Sequence, residues 1–224
     1  MKNILITLIF FISFNELFSQ KLKNKPLTVS YSESFYNSIR WRLVGPFRGG
    51  RAGTVSGVIG NNNIYYMGTA GGGLWKTIDA GNSWECISDN FFGGSIGAVA
   101  VSQSDPNIIY VGEGEQTLRG NVSSGRGAWK STDAGKTWSF IGLKNTEHIS
   151  RIRIHPKDPN IVYVGAIGNL WKKNDERGLY KSLDGGKSWK RILFVSDKAG
   201  VGDIALDPNN PRIIYASTWE MKRN

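Results

Sequence analysis

Short apolar runs alternate with polar turns along most of the chain, and they recur in a fixed order. SIGAVAVS (Ser95 to Ser102), HISRIRIH (His148 to His155) and VGDIALDP (Val201 to Pro208) carry apolar residues at alternate positions. A period of two puts those side chains on one face of a β-strand. The first two runs lead into Asp105-Pro106-Asn107 and Asp158-Pro159-Asn160, and then into IIYVG (Ile108 to Gly112) and IVYVG (Ile161 to Gly165). RIIYAS (Arg212 to Ser217) is the fourth such strand, and a looser set precedes them all: RAGTVSGV, Asn61 to Asn63, and IYYMG.

A third strand and its turn are written nearly identically three times: GLWKTIDAGNSW (Gly73 to Trp84), GAWKSTDAGKTW (Gly127 to Trp138) and GLYKSLDGGKSW (Gly178 to Trp189). In each, the Asp (Asp79, Asp133, Asp184) is placed to accept backbone N–H groups of its own turn. The Gly (Gly81, Gly135, Gly186) supplies a positive φ. The Trp (Trp84, Trp138, Trp189) has a large apolar area to bury on the returning strand. A fourth strand follows: SWECIS, TWSFIGL and SWKRILF.

Four short strands recurring about every 50 residues predict an all-β protein, a β-propeller with four-stranded blades joined by Asp turns. The units are residues 41–90, 91–145, 146–196 and 197–224, about three and a half blades. The last stops after its second strand. Propellers hide their strand edges by closing, so the chain is expected to be an N-terminal fragment whose remaining blades come from C-terminal sequence. The alternative is a small complete domain that closes by oligomerising.

Composition changes the picture in two places. The 224 residues include 28 Gly, 8 Trp and one Cys, with a formal net charge of +10. Such Gly and Trp usage suits the β reading. The charge is scattered rather than clustered, which argues against nucleic acid and leaves anionic glycans or cell-surface polymers as partners. Lys76, Lys130, Lys136, Lys181 and Lys187 flank the repeated turns and read as solubilising edge residues.

The start is set apart. Lys2, the apolar run Ile4 to Phe14 and Leu17-Phe18-Ser19 form a signal peptide over residues 1–19, too short to cross a bilayer, which takes about 20 apolar residues. No Cys follows the cut. Residues 20–40 are a polar segment with Lys21, Lys23 and Lys25, read as a solvated linker rather than a basic docking tail. Export places the protein in the periplasm, on the cell surface or outside. Cys86 has no partner for an internal disulfide and is expected to pack beside Trp84.

The three Asp turns are similar to the Asp-box, or bacterial neuraminidase repeat. WRLVGPFRGGR, YYMGTAGGGLWKTIDAGNSW, YVGEGEQTLRGNVSSGRGAWKSTDAGKTW and DPNNPRIIYASTWE together resemble secreted bacterial propellers of the sortilin (Vps10) N-terminal-domain-like, WD40/YVTN-like superfamily, described also as glycosyl hydrolases. The resemblance runs from about Trp41 to the end. It implies that Asp79, Asp133 and Asp184 brace turns between third and fourth strands, on the face away from the ligand site. It does not by itself imply an activity.

Chemistry is expected on the other rim, where the second-to-third loops and the blade junctions meet. That rim collects Glu113, Glu115, Arg119, Asn121 and Arg126, then Asn169, Trp171, Asp175, Glu176 and Arg177, with Arg48 and Arg51 arriving before the first inner strand. Arg48, Arg51, Arg119 and Trp171 are the candidate ligand contacts. A glycosidase needs two carboxylates about 5–10 Å apart. Glu113 and Glu115, two apart on a strand end, are the candidate catalytic pair; the plainer expectation is that they pair with Arg119 or Arg126 to hold the loop. Xyloglucanase-type propellers place a catalytic Asp where this chain has Ala70, in Thr69-Ala70-Gly71-Gly72. Sialidases need three arginines, and no third can be assigned beside Arg48 and Arg51.

Other motifs lack their context. Gly93-Gly94-Ser95-Ile96-Gly97 spells a nucleophile elbow but precedes a strand with no helix after it. No Cys/His cluster with metal spacing, P-loop or dinucleotide fingerprint occurs, so no metal or cofactor is expected. Aligning the repeats puts Arg151 and Asp203 at equivalent positions of neighbouring blades, as a structural ion pair. The resemblance implies binding of peptide, protein or glycan. The alternatives are a glycoside hydrolase acting on extracellular polysaccharide and an assembly scaffold.

Overall fold

The computed structural model describes residues 31–37, 39, 50–117 and 119–222. The expected leader over residues 1–19, most of the polar segment and Arg48 lie outside the described residues. The chain divides into two units, Met1–Val44 and Gly45–Asn224. In the first, Glu33–Tyr36 form one turn of 3-10 helix, with the Ser32 hydroxyl accepting from the Ser34 N–H.

The second unit is built of antiparallel strands in four sheets. The first sheet holds β1 (Gly50–Val58), β2 (Asn61–Gly71), β3 (Leu74–Thr77) and β4 (Glu85–Cys86). The next holds β5 (Ile96–Val101), β6 (Ile109–Glu113), β7 (Ala128–Ser131) and β8 (Ser139–Phe140). The third holds β9 (Ile149–Ile154), β10 (Val162–Ala166), β11 (Gly178–Ser182) and β12 (Lys190–Leu193), and β13 (Ala199–Leu206) pairs with β14 (Ile214–Glu220). Strands follow one another in sequence order within each sheet. This is the up-and-down blade of a β-propeller, and the chain is all-β with no α-helix among the described residues.

The alternating pattern accounts for the core. Val99, Ile152 and Ile204 occupy matching positions of β5, β9 and β13, and each is buried in a separate cluster between successive sheets. Every inner strand carries a one-residue register shift, at Gly53, Gly97, Ser150 and Gly202. Such bulges bend and twist a strand locally. At the third of them a serine replaces glycine, and its hydroxyl donates to Val201 O at 2.6 Å, tying β9 to β13.

The fourth strands are shorter than the apolar pattern suggests, with two residues in β4 and in β8. Trp138 Nε1 donates to Ile87 O at 3.2 Å and Trp189 Nε1 to Ile141 O at 2.6 Å, so each indole serves the preceding sheet rather than its own. Cys86, which lines one groove with Trp84, has a second aromatic neighbour across its ladder. It lies opposite Trp75 in the β3–β4 ladder, with Sγ donating to Asp89 Oδ1 at 3.0 Å. Burial and that carboxylate push its thiol up.

Candidate functional site

Antiparallel order sends alternate connections to opposite ends of each sheet. One end carries the β1–β2 and β3–β4 turns and their equivalents. There the Asp turn and its neighbour are joined by backbone bonds: Ala80 N to Asn63 O, Ala134 N to Asn107 O and Gly185 N to Asn160 O, at 2.9–3.0 Å. The opposite end is the rim, where β1, β5 and β9 begin and β2, β6 and β10 finish.

The three Asp turns are superimposable in their chemistry. In the second, Asp133 Oδ1 accepts from the Ser131 hydroxyl at 2.8 Å and from Thr137 N at 2.9 Å, while Oδ2 accepts from the Thr137 hydroxyl at 2.6 Å. Ser131 Oγ in turn accepts from Gly135 N at 2.9 Å. Asp79 and Asp184 repeat the set with Thr77 and Ser83, and with Ser182 and Ser188. The sequence suggested one positive φ per turn, but there are two in succession, Ala80 and Gly81, Ala134 and Gly135, Gly185 and Gly186. The second of these residues donates its N–H to the turn's own hydroxyl, while the first donates to the carbonyl of the neighbouring turn.

These bonds favour the ionised aspartate. Donation from Ser83 and Thr137 holds Asp79 and Asp133 at about 2, and Ser188 and Ser182 take Asp184 still lower. A carboxyl depressed in the folded state contributes stability above its unfolded value of about 3.9 and loses it as pH falls through the folded value. Thermal melts are therefore expected to weaken between about pH 4 and pH 2. An Asp133→Asn variant should be less stable at neutral pH yet lose less over that interval. Equal acid sensitivity in the two proteins would reject the assignment.

At the rim, Arg51 and Glu115, 64 positions apart, meet. Arg51 Nε and one terminal nitrogen donate to Glu115 Oε1 at 3.1 and 2.5 Å, and the Thr117 hydroxyl adds a third bond at 2.9 Å. Arg51 remains 43% exposed while the Glu115 side chain is 5% exposed. Burial would raise the Glu115 carboxyl, but the bonds and charge of Arg51 outweigh it and hold it below the usual range. Glu113 is also buried, and Oε2 accepts from Trp129 Nε1 at 3.0 Å and Arg126 N at 3.2 Å. Burial dominates there and pushes its carboxyl up. The expected partners, the Arg119 and Arg126 side chains, are thus replaced by Arg51 for one glutamate and by an indole and a backbone N–H for the other.

Beside this pair lies His148, which sequence reasoning passed over for want of metal spacing. His148 Nδ1 is 3.0 Å from Glu115 O, an acceptor, so Nδ1 carries the proton. Its Nε2, Ser95 Oγ and Glu115 Oε2 are buried with no hydrogen-bond partner among the described residues. All three come from the rim ends of β5, β6 and β9, which backbone contacts press together: Gly114 N donates to Ser95 O at 2.8 Å and Gly125 N to Glu147 O at 2.6 Å. Burial lowers the His148 imidazole, disfavouring its charged form. The signal available in sequence was positional only: Ser95 and His148 stand just before equivalent inner strands.

The remaining rim candidates divide. Arg119 and Trp171 are exposed, Trp171 by 49%. Asn169 is internal, its Oδ1 accepting from Trp171 N and Lys172 N and its Nδ2 donating to Glu147 Oε2 at 2.6 Å. Arg177 is 1% exposed and donates to the carbonyls of Ile167, Asn169, Asp197 and Met221, which removes it from the ligand surface. Arg151 Nε and Asp203 Oδ1 form the expected link between sheets at 2.6 Å. Lys76, Lys130 and Lys181 are not free edge residues: each ammonium lies over a tyrosine ring, Tyr66, Tyr110 and Tyr163, at 5.5, 5.3 and 5.3 Å.

Among the described residues no group of three or more His, Cys, Asp or Glu is placed to hold a metal ion, and no helix is long and apolar enough to cross a membrane.

Comparison with known proteins agrees with this architecture. The Sortilin-Vps10 family model (sortilin, neurotensin receptor 3) matches residues 61–219. A xyloglucanase of Hypocrea jecorina (strain QM6a) is 30% identical over 180 residues, covering 72% of this chain and 20% of the relative. The chain thus spans about a fifth of that protein's length. In solved structures, an ancestral GH74 enzyme superimposes with a TM-score of 0.60 at 24% identity, over 77% of this chain and 22% of the other. YCF48 bound to D1 peptide superimposes with a TM-score of 0.52 at 16% identity, over 77% and 52%. At such identities the structural likenesses establish the propeller fold alone. Taken with the family match, they make this chain a member of the Sortilin-Vps10 family, a β-propeller related to the GH74 xyloglucanases.

Proposed function

We propose that this chain supplies part of an exported binding propeller whose rim holds a peptide, protein or glycan, with residues 1–19 as its leader and residues 41–224 as its propeller part. The observation that carries the reading is the Arg51–Glu115 pair. One glutamate oxygen fixes the guanidinium, which remains partly exposed, while the other is buried without a hydrogen-bond partner, as is His148 Nε2. A half-exposed arginine held in place by a buried carboxylate is a pre-organised polar anchor. Exposed Trp171 and Arg119 belong to the same rim and are of residue types that dominate binding contacts. Ala70 pairs with Arg51 in the β1–β2 ladder, so that position offers no carboxylate for hydrolysis.

A second reading, glycoside hydrolysis, is favoured by one observation. Glu113 is buried with its carboxyl pushed up, as a general acid requires, and the curated relative named above is a xyloglucanase. Both readings are tested together by screening the secreted protein on peptide and glycan arrays and by assaying sugar released from xyloglucan. The binding reading expects saturable binding without turnover, weakened at least about tenfold by Arg51→Ala and by Trp171→Ala. Because Trp171 is exposed, its variant should melt like the parent. Reducing sugar released by the parent and lost in Glu113→Gln would replace binding with hydrolysis.

A further inference from the structure

A second candidate surface lies away from the rim, between the outer strand of one blade and the Asp turn of the next. It occurs twice. Between the first and second sheets a groove of about 510 Å³ is lined by Lys76 and Lys136, but also by Glu85 and Asp89, so its charge is balanced. Between the second and third sheets the equivalent groove, about 570 Å³, is lined by Lys130 and Lys187 with no carboxylate among its walls. Its floor is glycine, Gly142, Gly185 and Gly186, and its aromatic walls are Phe140, 48% exposed, and Trp189.

Lys130 is packed in place despite the nearby charge of Lys187, which is exposed. Lys130 Nζ is packed so close to the Asp turn that a Cβ on Gly185 would come within 2.5 Å of it, and it lies over the Tyr110 ring. Burial and the charge of Lys187 both lower the Lys130 ammonium, and only Asp184 opposes them. The Asp184 carboxylate is already engaged by Ser182 and Ser188. An anion entering the groove would therefore meet two cations that lack a carboxylate of their own among the groove's walls. Trp189 is locked by its bond to Ile141 O, leaving a fixed indole beside an exposed phenyl ring.

We propose that this groove binds an acidic saccharide, with Lys130 and Lys187 taking the sugar carboxylate and Phe140 and Trp189 taking the apolar face of the ring. Its size falls in the range of about 300–1,000 Å³ found for small-ligand clefts. Cations beside aromatic side chains suit a carboxylated ring. An acidic peptide is disfavoured because β8, the strand that borders the groove, is two residues long, too short an edge for strand addition. The site is independent of the rim proposed above, since it is built at the Asp-turn end.

The test is calorimetric titration of the protein with trigalacturonic acid, with galactotriose and hexaglutamate in parallel. Trigalacturonic acid is expected to bind, galactotriose and hexaglutamate to bind at least about tenfold more weakly, and Lys187→Gln to weaken trigalacturonic acid about tenfold. Lys187 is exposed, so Lys187→Gln and Lys187→Glu should melt like the parent, and the second should abolish binding. Arg51→Ala should leave this titration unchanged, which separates failure here from failure at the rim. No heat with trigalacturonic acid up to about 10 mM, equal binding of galactotriose, tighter binding of hexaglutamate, or full binding by Lys187→Glu would each overturn the proposal.

Discussion

Replacing Arg177 with methionine is expected to lower the unfolding free energy by about 3–5 kcal/mol, the sum of several buried carbonyls left without a donor. Arg177 sends its donors to four backbone carbonyls drawn from three stretches of chain: Ile167 and Asn169 after β10, Asp197 before β13, and Met221 after β14. Met221 N in turn donates to Lys198 O, so the end of β14 and the approach to β13 converge on one guanidinium. Methionine would fill much of the volume but donate nothing, and each buried carbonyl left without a donor costs on the order of 1–3 kcal/mol. Burial already lowers the Arg177 guanidinium, with Asp197, Glu147 and Glu220 compensating from a distance. Denaturant unfolding of the parent, Arg177→Met and Arg177→Lys would measure this, and lysine should recover only part of the loss because it lacks the planar fork. A midpoint unchanged by Arg177→Met would return the residue to the ligand surface where its sequence position first suggested it.

Gly97→Ala is expected to be nearly as damaging, costing about 3 kcal/mol, the upper end for overpacking. Gly97 is the bulge residue of β5, and a methyl there would overlap the carbonyl oxygens of Ile149 and Gly114. Both are backbone atoms, one in β9 and one just after β6, so neither can step aside as a side chain would. The obstruction concerns space rather than conformation, because Gly97 is not among the glycines with positive φ. The matching comparison is Ser150→Gly at the equivalent bulge of β9. Ser150 has room for a Cβ, and its hydroxyl bridges Gly165 O and Val201 O. That variant should lose only about 1 kcal/mol for the missing hydrogen bonds. Comparable losses in the two variants would mean that the inner strands do not approach as closely around Gly97 as described.

Several features could be read in the chain before any coordinates. Alternation in SIGAVAVS, HISRIRIH and VGDIALDP located β5, β9 and β13, because period two is a local property of an extended backbone. The aspartate turns were equally local: every donor to Asp133 lies within four residues of it. Even the Arg151–Asp203 pair was accessible, since repeat alignment converts equivalent positions into neighbours in space.

The rim was harder because its partners come from different blades and different offsets. Arg51 and Glu115 do not occupy equivalent places in their repeats, so no alignment joins them. Glu113 was grouped with the arginines near it in sequence, yet the indole of Trp129, reached across the β6–β7 pair, proved closer than any guanidinium. Arg177, exposed by every local criterion of loop and charge, became internal only when the ends of three segments closed over it.

Backbone repeat, turn chemistry and the identity of the core face were therefore set by residues close together along the chain, and they depend on interactions that such neighbours complete unaided. Which polar side chain is buried, which is anchored and which is left to meet a ligand was settled by the packing of one sheet against the next. Desolvation and long-range hydrogen bonding act on a side chain only after distant strands arrive, and an arginine has the same formula in solvent as beneath four carbonyls.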